Sequence, residues 1–518
     1  MPDSGSVGEA SDTLAARVAA AAVATPDKPA LIWHDTTVTW GQLDRRVDGA
    51  AAALAGMGLA AGARVAIALP NSPRYAVTLF GVLRAGLVAV PVNPRFTARE
   101  LRHVLADSGA SVLVASPEAA EVAERLRGDL PELSHVLPEL PELPDGRPVP
   151  GEGDLAVLLY TSGTEGSPKG AMLTHRALMA NHEQLAAITP APVGPDDTLL
   201  LAVPLFHAYG LNSGLGAVAY HGATGVLVEP GAGGTPSDPA ESLALIARHR
   251  VTAVLGVPSM YQAWSLLPGL GASMASVRVA VCGAAPLDAG AAARFRAATS
   301  LPVAVGYGLT ETAPVVTSTL ASPEPKPGSI GRPIPGVEVR LVAADGSDVA
   351  DLSDVDDFDL DVGPPETDPG EIVVRGANLF AGYWPDGHGG PDADGWWATG
   401  DIAYADADGD LFLVDRRGEL ILVNGFNVYP REVEQVLESH PGVAEAAVVG
   451  VPHPYTGQTV KAFLVRAPGT DADPEDVLAH AERNLARFKR PTAVEFVAEL
   501  PHSAIGKVRK AELRDATA

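Results

Sequence analysis

Two rhythms of apolar residues alternate along this chain. Apolar positions three and four apart predict helices over Leu14–Ala24, Gln42–Met57, Arg74–Arg84 and Ala98–Ser108. Between them lie short continuous runs that read as strands: Pro29–Trp33 and Thr36–Trp40 around a His34-Asp35 turn, Arg64–Leu69, Leu87–Val92 and Ser111–Ala115. From Ser116 to Asp154 the chain is rich in Pro and Glu and reads as a connector. Strand-like runs resume at Leu155–Leu159, Leu199–Val203, Gly225–Val228, Val251–Leu255, Val277–Cys282 and Leu301–Val305, with a helical pattern from about Thr174 through Leu185. Strands alternating with helices predict parallel sheets that carry ligand loops at their strand ends. The expected fold class is α/β, with a large N-terminal domain of packed α/β subdomains over residues 1–416. After Asp415 the alternation restarts: strand Leu420–Val423, helix Pro430–Ser439, strands Val443–Val451 and Lys461–Val465, helix Pro474–Leu485, strand Ala493–Val497. Residues 417–518 are expected to form a small C-terminal α+β domain.

Length and charge narrow the classes. At 518 residues the chain exceeds one ordinary core, and its 47% apolar content excludes disorder as the dominant state. Sixty-three acidic against 37 basic residues give a formal charge of −26, which argues against nucleic acid and anionic membrane surfaces as partners. An anionic substrate must therefore meet local positive charge. Part of that charge collects late, where eight basic residues stand against four acids from Arg483 to Ala518. Asp345 to Glu371, by contrast, carries eleven acidic residues and no Lys or Arg, and reads as a solvated acidic loop without calcium-loop spacing. The single cysteine, Cys282, excludes an internal disulfide and a Cys-based zinc cluster, and fits a reducing compartment. The N-terminus lacks the basic start and apolar centre of a signal peptide. The longest apolar stretch, near Ala76 to Val92, is broken by Arg84 and Pro91 and falls short of a membrane span. A cytoplasmic protein is the expectation.

Candidate chemistry centres on Tyr160-Thr-Ser-Gly-Thr-Glu-Gly-Ser-Pro-Lys-Gly-Ala-Met-Leu-Thr-His175, between a strand-like run and a new helix. Gly163, Gly166 and Gly170 let backbone N–H groups approach anionic oxygens, Thr161, Ser162, Thr164 and Ser167 supply hydroxyl donors, and Lys169 supplies a point charge. Those parts suit a polyphosphate, although composition alone also fits a solvated Gly/Ser turn. The order is not that of the common P-loop, because Pro168 precedes the lysine and Gly170 follows it.

This order resembles the phosphate loop of the adenylate-forming superfamily, which includes acyl- and aryl-CoA ligases, peptide-synthetase adenylation domains and luciferases. Glu165 departs from it, standing where the family usually has Thr. Further elements follow in family order as far as Lys507. Pro204-Leu-Phe-His-Ala-Tyr-Gly210 resembles the acyl-side motif, with His207 beside the reacting carboxylate. Gly283-Ala284-Ala285-Pro-Leu287 resembles the adenine-side loop. In Gly306-Tyr-Gly-Leu-Thr-Glu311 the resemblance makes Tyr307 the residue flanking adenine, Thr310 a phosphate contact and Glu311 the Mg²⁺ ligand. Trp396-Trp-Ala-Thr-Gly-Asp401 implies that Asp401 accepts the ribose hydroxyls, with Arg416 as its cationic neighbour. Gly425 and Phe426 open the loop for the second half-reaction, and Gly418 takes the hinge position, usually Asp or Lys. Pro501-His-Ser-Ala-Ile-Gly-Lys507 implies that Lys507 is the catalytic lysine, leaving Lys510 as solvated surface.

The resemblance implies a two-step acid–thiol ligase using ATP, Mg²⁺ and CoA, with a C-terminal domain that moves between steps. The neighbourhoods of His207, Gly210 and Gly214 and of Gly306 and Gly308 are expected to form the acyl pocket, and their small residues suggest an apolar tail: fatty acids first, aryl acids next. Two other readings stay open: an acyl carrier protein loaded in trans in place of CoA, and a non-enzymatic nucleotide-binding scaffold.

Overall fold

Hydroxyl caps set where the first helices begin. In the computed structural model, Thr13 caps α1 (Leu14–Ala24), Thr39 forms a capping box with Gln42 at the start of α2 (Trp40–Ala55), and Ser72 precedes α3 (Pro73–Arg84). Thr97 and Glu100 form a second box on α4 (Ala98–Ser108), and Ser116, followed by Pro117, starts α5 (Pro117–Leu126). The last of these is a correction. The Pro- and Glu-rich stretch expected to be a connector opens with a helix that buries Ala119 and Ala123, then adds a strand at His135–Leu137. The structure describes residues 12–141, 154–161, 168–229, 238–343, 345–352, 367–416, 419, 421–423, 426–453, 457–485, 487–502 and 508–515.

The chain divides into two compact units. The first comprises Met1–Pro323, Ile334–Val337 and Arg375–Gly395; the second comprises Glu324–Pro333, Glu338–Val374 and Trp396–Ala518. Fourteen described strands in the first unit are β1 (Pro29–Trp33), β2 (Thr36–Thr39), β3 (Arg64–Ala68), β4 (Val88–Pro91), β5 (Val112–Ala115), β6 (His135–Leu137), β7 (Leu155–Thr161), β8 (Lys169–Thr174), β9 (Thr198–Leu201), β10 (Thr224–Leu227), β11 (Ala253–Gly256), β12 (Val279–Cys282), β13 (Val303–Gly308) and β14 (Val315–Ser318). One sheet runs β6-β5-β3-β4-β7-β8 and the other contains β14-β13-β12-β11-β9-β10-β1-β2. Their interiors are parallel, as the alternation requires, and antiparallel pairs close the edges at β7/β8, β13/β14 and β1/β2. In the first sheet Ala66, Val90 and Leu113 meet Leu101, Val104 and Leu105 of α4. In the second, Leu200, Val226 and Val254 meet Tyr261, Trp264 and Phe295. The larger of these aliphatic side chains, Val and Leu, each contribute about 1.5–3 kcal/mol when fully buried.

The second unit holds two five-stranded sheets. One orders Asp348–Asp351, Val337–Val342, Gly370–Gly376, Trp396–Ala405 and Leu411–Arg416. Asp348–Asp351 corrects the expectation of an acidic loop, since its backbone pairs with Arg340–Val342 while Asp348 and Asp351 stay exposed. Residues 353–366 of that acidic segment lie outside the described residues, and its end at Glu371 belongs to strand Gly370–Gly376. The other sheet, around Val443–His453 and Gly457–Arg466, buries Val448 and Val460 against Val433 and Leu437 of helix Pro430–Glu438. Among the described residues no helix is long and apolar enough to cross a membrane.

A buried carboxylate ties three segments of the larger sheet together. Asp197, just before β9, accepts hydrogen bonds from the Gly194 N–H at 2.7 Å, the Thr252 hydroxyl at 2.7 Å and the Arg278 guanidinium at 2.8 Å. Burial opposes its ionisation, but the Arg278 and Thr252 hydrogen bonds outweigh burial and hold its carboxyl below the usual 3.8. A depressed acid stabilises the fold above its unfolded pKa, and that stability is lost as pH falls through the folded value. Asp197→Asn should therefore lose about 1–2 kcal/mol in denaturant unfolding at pH 7, discounted for the partial exposure of Arg278. The gap between the two proteins should close below about pH 4, and an equal gap at pH 3 would contradict the assignment.

Candidate active site

The hairpin β7/β8 carries the candidate phosphate loop, and its second arm is a strand where the sequence suggested loop. Lys169 opens β8 opposite Thr161, and residues Ser162, Gly163 and Thr164 lie outside the described residues. β8 pairs on its other side with the segment Ala381–Trp384: Met172 N–H donates to Gly382 O at 3.1 Å, and Trp384 N–H donates to Gly170 O at 2.8 Å. That pairing brings in Tyr383, a residue the sequence reading missed. The Lys169 ammonium lies 5.5 Å from the centre of the Tyr383 ring, and the Tyr383 hydroxyl donates to Glu311 Oε1 at 2.7 Å. One aromatic side chain thus touches both the candidate phosphate lysine and the candidate metal carboxylate. A run of aromatics, Phe380-Ala-Gly-Tyr-Trp384, was the available signal.

Helix α4 braces the same hairpin. His103 Nε2 is 2.8 Å from Pro168 O, and the Tyr160 hydroxyl donates to Asp107 Oδ2 at 2.5 Å. Burial, reinforced by Asp107, raises the Tyr160 phenol far above its ordinary value.

Glu311 sits on a single 3-10 turn, Thr310–Thr312, directly after β13. β13 extends through Gly306, Tyr307 and Gly308, beyond the run read from sequence, so those residues occupy its final stretch. Gly308 is required there: an added Cβ would lie 1.7 Å from Pro314 O. Glu311 is 7% exposed, and its carbonyl accepts from Phe380 N–H at 2.8 Å. A buried carboxylate of hard oxygens suits a divalent cation shared with phosphates. Among the described residues no group of three His, Cys, Asp or Glu side chains could hold a metal alone.

On the acyl side, His207 is half-buried and its Nδ1 accepts from Tyr209 N–H at 3.3 Å, so in the neutral ring Nε2 carries the proton. Tyr209 begins a buried π-helical stretch, Tyr209–Gly216, and its hydroxyl donates to Val281 O at 3.3 Å. Leu200, Leu201, Val203, Leu255, Tyr209, Gly210 and Gly214 line a narrow apolar recess. Gly210 admits no side chain, since a Cβ would lie 2.2 Å from Pro204 O, whereas at Gly214 the nearest neighbour is Leu201 Cδ2 at 3.2 Å. Tyr209 also packs against Gly283, whose added Cβ would meet its ring at 3.1 Å. The acyl-side and adenine-side candidates are thereby neighbours. Ala284 holds a left-handed backbone with φ 72°, a conformation that costs a non-glycine residue roughly 1 kcal/mol or more. Ala285 follows it, half-buried.

In the second unit, Asp401 is 5% exposed within strand Trp396–Ala405, and its backbone is in register with Arg416. Gly400, with φ 78°, turns the chain so that its N–H reaches Glu371 Oε1 at 3.1 Å and Asp401 N–H reaches the Thr399 hydroxyl at 3.1 Å. Lys510 is not surface: its ammonium is held 2.9 Å from Glu419 and 2.8 Å from Glu434, with only 12% of the side chain exposed. Lys507, Gly418 and Gly425 lie outside the described residues, and Phe426 lies on strand Phe426–Val428.

The sequence matches the AMP-binding enzyme family over residues 18–384 and the AMP-binding enzyme C-terminal domain over residues 432–507. The chain belongs to the AMP-binding enzymes, the adenylate-forming superfamily. It is 39% identical to a feruloyl-CoA synthase of Amycolatopsis sp over 95% of this chain and 96% of that protein. It is 36% identical to a long-chain-fatty-acid–CoA ligase of Yersinia pestis, over 96% of this chain and 92% of that one. Among solved structures, ATP-bound MatB from Rhodopseudomonas palustris superposes with a TM-score of 0.84 at 30% identity, covering 97% of this chain and 98% of its own.

If Tyr383 orients Glu311, Tyr383→Phe should cut kcat/KM for ATP by roughly tenfold, the loss of one hydrogen bond to a charged group. Its melting temperature should stay within a few degrees of the parent. Unchanged ATP kinetics would remove Tyr383 from the site.

Proposed function

We propose that this chain is an ATP-dependent carboxylic acid–CoA ligase that works through an acyl-adenylate, the acid being one with an apolar tail. The observation that carries this reading is the meeting of Lys169, Tyr383 and Glu311 in an AMP-binding enzyme, a phosphate-seeking cation and a buried carboxylate on one aromatic ring. In the first step a carboxylate oxygen of the acid attacks the α-phosphorus of ATP; the bond to the β-phosphate bridging oxygen breaks, and pyrophosphate leaves with that electron pair. Both reactants are anions, so positioning and charge neutralisation are the main catalytic tasks. Lys169, with Thr161, Ser162, Gly163 and Thr164, holds the departing pyrophosphate, and Lys507 bridges the carboxylate and the α-phosphate. Thr310 contacts phosphate, and His207 stands beside the reacting carboxylate. Tyr307, Gly283, Ala284 and Ala285 border adenine, while Asp401 and Arg416 anchor the ribose. Glu311 would hold Mg²⁺, which would supply further charge neutralisation on the phosphates.

In the second step the CoA thiolate attacks the carbonyl carbon of the mixed anhydride, and AMP leaves with the electrons of the acyl–oxygen bond. Residues 417–518 act as the mobile domain, turning about Gly418 to withdraw Lys507 and present Gly425 and Phe426. The cytoplasm is the proposed compartment.

For the acyl group, the apolar lining of the recess at Tyr209, Gly210 and Gly214 supports a medium or long fatty acid, and Gly306 and Gly308 are proposed to complete the pocket. A second reading, an aryl acid, is supported by the narrowness of the recess and by the aromatic wall that Tyr209 provides. A carrier-protein thiol in place of CoA remains the rival for the acceptor.

The division of labour makes a sharp test. Lys507→Ala should lower adenylate formation by about a thousandfold or more, while thioester formation from supplied acyl-adenylate falls less than tenfold. Equal losses in both half-reactions would contradict the proposal.

A further inference from the structure

A buried polar chain runs behind the Glu311 turn. His182 on the helix His175–Ala186 is 2% exposed, and its Nε2 lies 3.0 Å from Asn212 Oδ1. Asn212, 1% exposed on the Tyr209–Gly216 stretch, donates from Nδ2 to Leu178 O at 3.1 Å and to Ala313 O at 2.6 Å. Both amide protons are thus committed to carbonyls, so Oδ1 must accept, and His182 Nε2 must carry the proton that it accepts. Burial drives the His182 pKa down to about 3, which keeps the ring neutral. The asparagine amide has one orientation available. Gly216 makes room for it, because an added Cβ would fall 2.6 Å from Asn212 Oδ1 and 2.9 Å from His182 Nε2.

The carbonyl that Asn212 grips belongs to a strained residue. Ala313 has φ 59°, two residues after Glu311, and its N–H donates back to Thr310 O at 3.3 Å. Other buried amides hold the flanks: Asn378 Nδ2 donates to Thr312 O at 2.8 Å, and Asn181 exchanges hydrogen bonds with both the N–H and the carbonyl of Val315. Asn212 differs from these in its location, since it sits three residues beyond Tyr209 on the same π-helical stretch that gives Tyr209, Gly210 and Gly214 to the acyl recess. It therefore joins the acyl-side helix to the turn that carries the candidate metal carboxylate.

We propose that Asn212, with its amide oriented by His182, is a positioning residue that fixes the Glu311 turn for cation-bound ATP. The proposal rests on the adenylate-forming reading of the site and on Glu311 as the cation ligand. A merely structural asparagine would weaken ATP binding with and without Mg²⁺ alike, or leave both unchanged. A positioning asparagine should act only where the carboxylate is needed.

The test is calorimetric titration of the full chain with ATP, once in excess Mg²⁺ and once in EDTA. Asn212→Ala should raise the Kd for MgATP about tenfold, the size of one lost hydrogen bond to a strained buried carbonyl, and change the Kd in EDTA less than about twofold. His182→Gln, which keeps a donor for the asparagine oxygen, should stay near the parent, and His182→Phe should fall between the parent and Asn212→Ala. A MgATP Kd within twofold of the parent for Asn212→Ala, or equal weakening in both titrations, would overturn the proposal. Should Asn212→Ala fail to fold, identical MgATP affinities for the two His182 variants would overturn it. An unmodified chain that binds no ATP in either titration would instead overturn the functional reading, and this proposal with it.

Discussion

The pairing of β8 with the segment Ala381–Trp384 is the constraint on which the candidate site depends. A few backbone hydrogen bonds between strands far apart in sequence set Tyr383 between Lys169 and Glu311. Without that pairing the lysine would be one exposed cation at a strand start and the glutamate a buried acid on a short turn. With it, a cation and an anion share one ring. The surrounding scaffold serves the same end. Helix α4 braces the hairpin through His103 and Asp107, and β13 delivers the turn that holds Glu311.

The chain's formal charge of −26 makes this concentration of function intelligible. Two anionic reactants cannot be gathered by the protein's overall field, which repels them. They must be met by a few cations at short range, where the local environment is drier and a single charge counts for more. Lys169 and Lys507 are proposed for that task. Lys510 shows the alternative fate of a nearby lysine, committed to Glu419 and Glu434 and so given over to holding the C-terminal segment.

Much of the fold was legible because capping and periodicity agreed. The helices Leu14–Ala24 and Ala98–Ser108 match their expected bounds, since Thr13 and Thr97 announce their starts and apolar spacing carries them through. Strands β1 to β5, β7 and β9 to β13 are visible as short apolar runs, whereas β6 and β14 fall outside the runs expected from the sequence. Helix α5 is hidden in the Pro- and Glu-rich composition of the stretch from Ser116 to Asp154, where Pro117 is a first-turn residue behind a serine cap. β8 was missed for a different reason, as small and polar residues there mask a strand whose partners come from β7 and from Ala381–Trp384. Asp348–Asp351 is a strand by backbone pairing despite a composition that favours solvent. The candidate residues themselves were found through motif order, which carries no distances. Tyr383 and Asn212 were beyond that method, because their roles arise only where remote segments meet.

The central claim is that an acid with an apolar tail is adenylated and then passed to a thiol. Mass spectrometry of reactions containing MgATP and a panel of fatty, aryl and amino acids, each with and without CoA, tests it most directly. The account predicts an acyl-CoA from a fatty or aryl acid, with the matching acyl-adenylate appearing when CoA is withheld. Acyl-adenylate that accumulates unchanged in the presence of CoA would contradict CoA as the acceptor, and absence of any adenylate across the panel would contradict the account as a whole.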